Sequence, residues 1–112
     1  MIDIYDVKIT KQAKEQMMKI IDYISFELFA PDAANKLLYK LENRIMSLSE
    51  FPERHQLIEE EFWRDKGIRK IVVNNYFVYY WINTLDKIVH VIAVIYAKRD
   101  QLDQLASIDI NE

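Results

Sequence analysis

Between Gly67 and Asp100 the chain reads GIRKIVVNNYFVYYWINTLDKIVHVIAVIYAKRD, three apolar runs parted by Asn74-Asn75 and by Thr84 to Lys87. The runs, Ile68–Val73, Tyr76–Asn83 and Ile88–Tyr96, are rich in β-branched and aromatic residues and bounded by turn formers. They predict three strands in an antiparallel meander. A sheet covered on one face alternates apolar and polar residues, yet Tyr76 to Ile82 and Val89 to Ile95 hold hardly any polar positions. Both faces therefore need a cover. Either the rest of the chain supplies the second one, or a partner does. Arg69, Lys70, Lys98 and Arg99 form a basic clip at the strand ends.

The first half of the chain offers the cover for one face. Ile4 to Ile9 alternates with period two at Tyr5, Val7 and Ile9, as a half-buried strand does. Thr10 is an N-cap able to accept the amide of Ala13. From there Ala13, Met17, Ile20, Ile21, Ile24 and Leu28 mark one face of a helix from Lys11 to about Phe29. Pro31 fits only the first turn of a helix, so a second one starts there. Its stripe is Ala34, Leu37, Leu38, Leu41, Ile45 and Leu48, and it ends near Glu50. The two form an αα-hairpin. Phe51 to Lys66 has no period, which predicts a long connection with a task or a short element of its own. Leu102, Leu105 and Ala106 predict a short last helix, and Asp109 to Glu112 are expected to fray. The sum is an α+β fold in one domain spanning residues 1–112.

Composition excludes several function classes. The chain is 51% hydrophobic and 29% charged with one glycine, which rules out disorder and leaves Gly67 too few companions for a phosphate-binding loop. Without cysteine, and with only His55 and His90 far apart in sequence, no metal-ligand spacing is met, and no cofactor is expected. Ser25, Ser47, Ser49 and Ser107 lack the base and strained turn of a serine nucleophile. The start MIDIYDVKIT has no signal-peptide pattern and no apolar run approaches the roughly 20 residues of a membrane helix. A cytoplasmic protein with no membrane partner is expected. The formal charge of −3 disfavours a general grip on nucleic acid without barring a local basic spot.

In a meander the outer strands run parallel, so Arg69 and Lys70 at the start of one do not automatically meet Tyr96, Lys98 and Arg99 at the end of the other. Two readings stay open. The basic side chains either serve carboxylates such as Asp65 and Asp100, or build a site for a phosphate or an acidic partner. His90 in an apolar strand reads as a structural imidazole, and Glu59-Glu60-Glu61 as a solvated loop. Phe26, Phe29 and Tyr39 lie off the main helix stripes, an apolar excess typical of partner surfaces.

Four words in order, VKITKQAKEQMMKIIDYI at 7–24, PDAANKLLYKLENRIMSLSEFPER at 31–54, GIRKIVVNNYFVYYWI at 67–82 and VIAVIYAKRD at 91–100, give nearly the whole chain a resemblance to the RelE/ParE superfamily of type II toxin-antitoxin toxins. The resemblance implies a small toxin whose twisted sheet packs on two helices. It also implies a cognate antitoxin that wraps the toxin with a helix and an extended segment, and so covers the apolar surplus.

In the superfamily's ribosome-dependent branch, basic residues with a tyrosine or histidine cleave mRNA. Carried over here, Arg69, Lys70, Tyr96 and Arg99 are the catalytic candidates. That branch commonly has a middle-strand arginine in a Tyr-Arg-Leu-Val-Tyr word, whereas this chain has Tyr76-Phe77-Val78-Tyr79-Tyr80. Phe77 cannot donate to a phosphate, and one lost donor of this kind removes about 2.7–4 kcal/mol of transition-state stabilisation. The C-terminal tyrosine of some members is replaced by Leu102 and Leu105. These departures look like the ParE branch, which inhibits DNA gyrase by protein contact. The alternatives are mRNA cleavage on the ribosome and a non-toxic interaction domain of the same fold.

Overall fold

A computed structural model describes residues 3–110. The chain begins with β1 (Asp6–Ile9), α1 (Lys11–Asp22) and α2 (Pro31–Met46), continues through α3 (Glu61–Asp65), and ends with β2 (Arg69–Val73), β3 (Tyr76–Asn83), β4 (Ile88–Tyr96) and α4 (Gln101–Ala106). The sheet order is β1-β4-β3-β2, with β1 parallel to β4 and the meander antiparallel throughout. β1 and β2 lie at opposite edges of the sheet, and the αα-hairpin carries the chain from one to the other. It lies across one sheet face for this reason.

Local chemistry sets the helix limits. Thr10, buried at the end of β1, accepts the Ala13 amide at 3.2 Å and so caps α1. Pro31 occupies the first turn of α2, where its missing N–H costs nothing. The junction between the helices departs from the simple pattern. Tyr23–Glu27 widens into a π-helical turn, with the Leu28 amide donating five residues back to the Tyr23 carbonyl at 3.1 Å. Phe29 follows with φ 55°, the left-handed conformation that ends many helices and that glycine normally supplies. A phenylalanine there costs about 1–2 kcal/mol of backbone strain.

The hairpin buries Ala13, Met17, Ile21, Ala34, Leu37, Leu41 and Ile45 against Ile71, Val73, Val78, Tyr80, Val89, Val91 and Val94 of the sheet. This is the main core, and it matches the helical stripes in the sequence. A second, smaller core lies on the opposite face, where Trp63 of α3 and Leu105 of α4 pack on Tyr79, Ile92, Ala93 and Ile95. A register shift between Tyr79 and Tyr80 lets the consecutive Ile92 and Ala93 both join it.

Of the two covers left open for the second face, the internal one is found over its centre. The connection 51–66 and α4 fold over it themselves. Glu60 starts this cover by capping α3, its carboxylate accepting the Trp63 amide at 3.2 Å. The expected fraying of the tail is corrected at Asp109, whose carbonyl accepts from Gln12 Nε2 at 2.7 Å. Residues 111 and 112 lie outside the described residues. No helix among the described residues is long and apolar enough to cross a membrane.

Candidate functional site

Arg69 opens β2 opposite Tyr80 of β3. Its Nη1 donates to the carbonyls of Glu53 at 3.2 Å and His55 at 2.5 Å, tying the connection to the sheet edge. Tyr80 reinforces the tie from the core, its buried hydroxyl donating to the Pro52 carbonyl at 2.6 Å. Arg54 binds the same corner to the end of α2, donating to the carbonyls of Glu50 and Phe51 and to Ser47 Oγ. His55 sits among these guanidinium groups. Burial first, and then Arg54, Arg44 and Arg69, hold its pKa below the ordinary value, so the ring is neutral at pH 7. Its buried Nε2 has no hydrogen-bond partner. The carboxylate partners expected for Arg69 are replaced by carbonyl oxygens, because the connection presents its backbone to the sheet edge.

Lys70 points to the opposite face, where its Nζ lies 4.2 Å from the centroid of the Phe77 ring, a cation–π contact. Tyr96 stands at the far end of the sheet, opposite Tyr76, with ring centroids 5.6 Å apart. Arg99 belongs to the turn after β4. Its amide donates to the Tyr96 carbonyl at 3.0 Å, and Gln101 Nε2 holds the carbonyls of Tyr96 and Arg99 at 2.7 and 2.8 Å. Gln101 Oε1 in turn accepts from the Tyr79 hydroxyl at 2.9 Å, which locks the start of α4 to the sheet. Asp100, the other expected carboxylate partner, caps α4 through the Asp103 amide at 3.1 Å.

The four candidates therefore form two groups. Tyr96 and Arg99 share one backbone turn at one end of the sheet, and Arg69 is at the other. From the Arg69–Tyr80 level to the Tyr76–Tyr96 level is four residues of β3, about 14 Å, and two strand spacings add about 10 Å sideways. Lys70 stands next to Arg69 in sequence but on the other face. No single phosphate touches all four in this arrangement.

A run of exposed large apolar side chains lies elsewhere. At the hairpin junction Tyr23, Phe26, Leu28 and Phe29 are 56%, 71%, 54% and 87% exposed. Sequence reading picked out Phe26 and Phe29 by their place off the stripe. It missed Tyr23 and counted Leu28 as core, because the π-turn shifts the helical phase and the stripe no longer predicts which side faces the sheet.

A crossover hairpin over a meander, with a mixed four-stranded sheet, is the fold of the RelE/ParE toxins. The chromosomal ParDE toxin-antitoxin system from P. aeruginosa contains a chain similar over 86% of this one and 99% of its own length, with TM-score 0.71 and 14% identity. The RelBE2 toxin-antitoxin complex from Mycobacterium tuberculosis contains another, similar over 85% and 94%, with TM-score 0.58 and 20% identity. At these identities the likeness is one of fold. No curated protein sequence matches the chain. The family model for the ParE toxin of type II toxin-antitoxin systems, parDE, matches residues 7–101, and the chain belongs to that family.

Proposed function

We propose that this toxin inhibits DNA gyrase by protein contact and is held inactive by a cognate antitoxin in the cytoplasm. The observation that carries the reading is Phe77 under Lys70 on the middle of the sheet, where the ribosome-dependent branch commonly has an arginine. A phenyl ring supplies no donor to a scissile phosphate, and its face engages the Lys70 ammonium. The division of Arg69, Lys70, Tyr96 and Arg99 between two faces and two ends supports the same reading. So does the net charge of −3, which gives no general field for holding RNA. The antitoxin partner follows from the family and from the toxin-antitoxin complexes in which chains of this fold occur.

Induction of the chain without antitoxin, followed by pulse labels for DNA and protein synthesis, tests the proposal. DNA synthesis is expected to fall first. An immediate arrest of translation, with transcripts cut inside codons, would instead support mRNA cleavage on the ribosome. The turn that keeps Tyr96 and Arg99 together at one end of the sheet favours this second reading.

A further inference from the structure

Arg44, Arg54 and Arg69 come from the last turn of α2, the connection after it and the start of β2, yet they converge on residues 47–55. Arg54 bridges Ser47 Oγ and the Phe51 carbonyl, each at 3.1 Å. Arg69 Nη1 holds the carbonyls of Glu53 and His55, and the Ser47 hydroxyl donates to the Arg44 carbonyl at 2.6 Å. His55 stands edge-on to Tyr80 at the middle of this corner, with ring centroids 6.4 Å apart. All three guanidinium groups act on its imidazole and disfavour a further positive charge there.

The three charges are held in place but not neutralised. Among the described residues no carboxylate lies at ion-pairing distance from Arg44, Arg54 or Arg69, and the ion pair that does form joins Lys87 to Asp3. Glu50 and Glu53 turn backbone carbonyls to the arginines, while their exposed side chains pair with none of them. Donor capacity remains as well. Arg69 donates from Nη1 alone, which leaves its Nε–Nη2 edge for a bidentate acceptor, and the exposed Arg44 guanidinium donates to none of the described residues. The buried His55 Nε2, without a partner, is a further polar group that folding leaves unused. Phe51, on the same segment, is 53% exposed with φ 48°, an aromatic side chain in strained backbone that gains little from folding.

We infer that the Arg44–Arg54–Arg69 corner is an anion site that takes a phosphate group, with the Nε–Nη2 edge of Arg69 and the guanidinium of Arg44 as its donors. A planar fork matches two oxygens of a phosphate, and Arg54 adds charge while it fixes the segment beneath. Free phosphate and the phosphate of a nucleotide share this chemistry. A nucleotide alone adds a flat base, to which Phe51 offers a ring. Lys70, Tyr96 and Arg99 take no part, and the site stands independently of the gyrase reading.

Proton NMR of the full chain, titrated at constant ionic strength with inorganic phosphate and separately with adenosine monophosphate, tests this. His55 and His90 are the two histidines of the chain, and His90 stacks on Trp81 on the opposite sheet face, so it serves as the control. Saturable movement of the His55 ring signals is expected, with those of His90 unmoved. Arg44→Gln is expected to keep the melting temperature and to weaken binding by about tenfold or more. Equal affinity for the two ligands would assign the site to free phosphate. Tighter binding of the nucleotide, lost in Phe51→Gly, would assign it to a nucleotide. His55 signals that do not move, or that move as readily in Arg44→Gln, would overturn the inference.

Discussion

Lys70 Nζ sits 4.2 Å above the Phe77 ring, so the cation nearest the middle of the sheet is directed at a hydrocarbon face. Both side chains are half-buried, and they stand on adjacent strands on the face that also carries Tyr79. The contact contributes about 0.5–1 kcal/mol. Lys70→Ala is expected to cost that much stability in denaturant unfolding and to leave growth inhibition at full strength.

Arg69 acts on structure through two carbonyls. Arg69→Ala removes charge-assisted hydrogen bonds worth about 1.5–3 kcal/mol each at most and loosens Glu53 and His55 from the sheet edge, leaving Tyr80 to hold Pro52. Toxicity is expected to fall in proportion to the folded fraction, measured by thermal melts of the same preparation. A full loss of toxicity with an unchanged melting temperature would make Arg69 a catalytic residue.

Tyr79 and Tyr80 are buried, and burial raises both hydroxyls to about 12 from 10.0. A raised folded pKa means that the unfolded chain releases its protons first. Stability is therefore complete below pH 10 and declines as pH rises toward 12, by up to about 2–3 kcal/mol per tyrosine. Circular dichroism and tyrosinate absorbance are expected to change together in that interval, and Tyr80→Phe to make the alkaline decline shallower.

His55 and His90 respond at the other end of the scale. Burial first, then Arg54, Arg44 and Arg69 for His55 and Lys8 for His90, lower both from 6.5. Their neutral forms are favoured in the folded state, so stability is complete above pH 6.5 and falls as pH drops below it, until the folded rings also protonate. His55→Gln is expected to weaken this acid dependence in melts between pH 7 and pH 5, the interval in which histidine changes charge.

Phe29 is 87% exposed in the left-handed conformation, so it carries strain with little burial to offset it. Phe29→Gly recovers about 1–2 kcal/mol and loses about 0.5–1 kcal/mol to the greater freedom of glycine in the unfolded chain. A small net gain in unfolding free energy is the expected result.

The meander, the hairpin, the Thr10 cap and the restart at Pro31 were legible because each is a local pattern of period or turn chemistry. The cover of the second face stayed one of two alternatives, since Trp63 and Leu105 reach it by tertiary packing that no period records. The direction of Lys70 could be read only once its pairing with Tyr79 was fixed. Arg69 looked like a partner for a carboxylate, because residue type reveals charge but not the carbonyls that a loop will present. The hairpin tip was half legible. Phe26 and Phe29 fell off the stripe, whereas the π-turn that exposes Tyr23 and Leu28 leaves no mark in the apolar spacing.

The most direct test of the central claim is a supercoiling assay with purified gyrase and the purified chain, run beside the same assay with antitoxin added. Inhibition of supercoiling or trapped cleaved DNA is expected, relieved by antitoxin and retained in Arg99→Ala. Uninhibited gyrase at concentrations that stop growth, with codon-internal cuts in translated mRNA that Arg99→Ala abolishes, would contradict it.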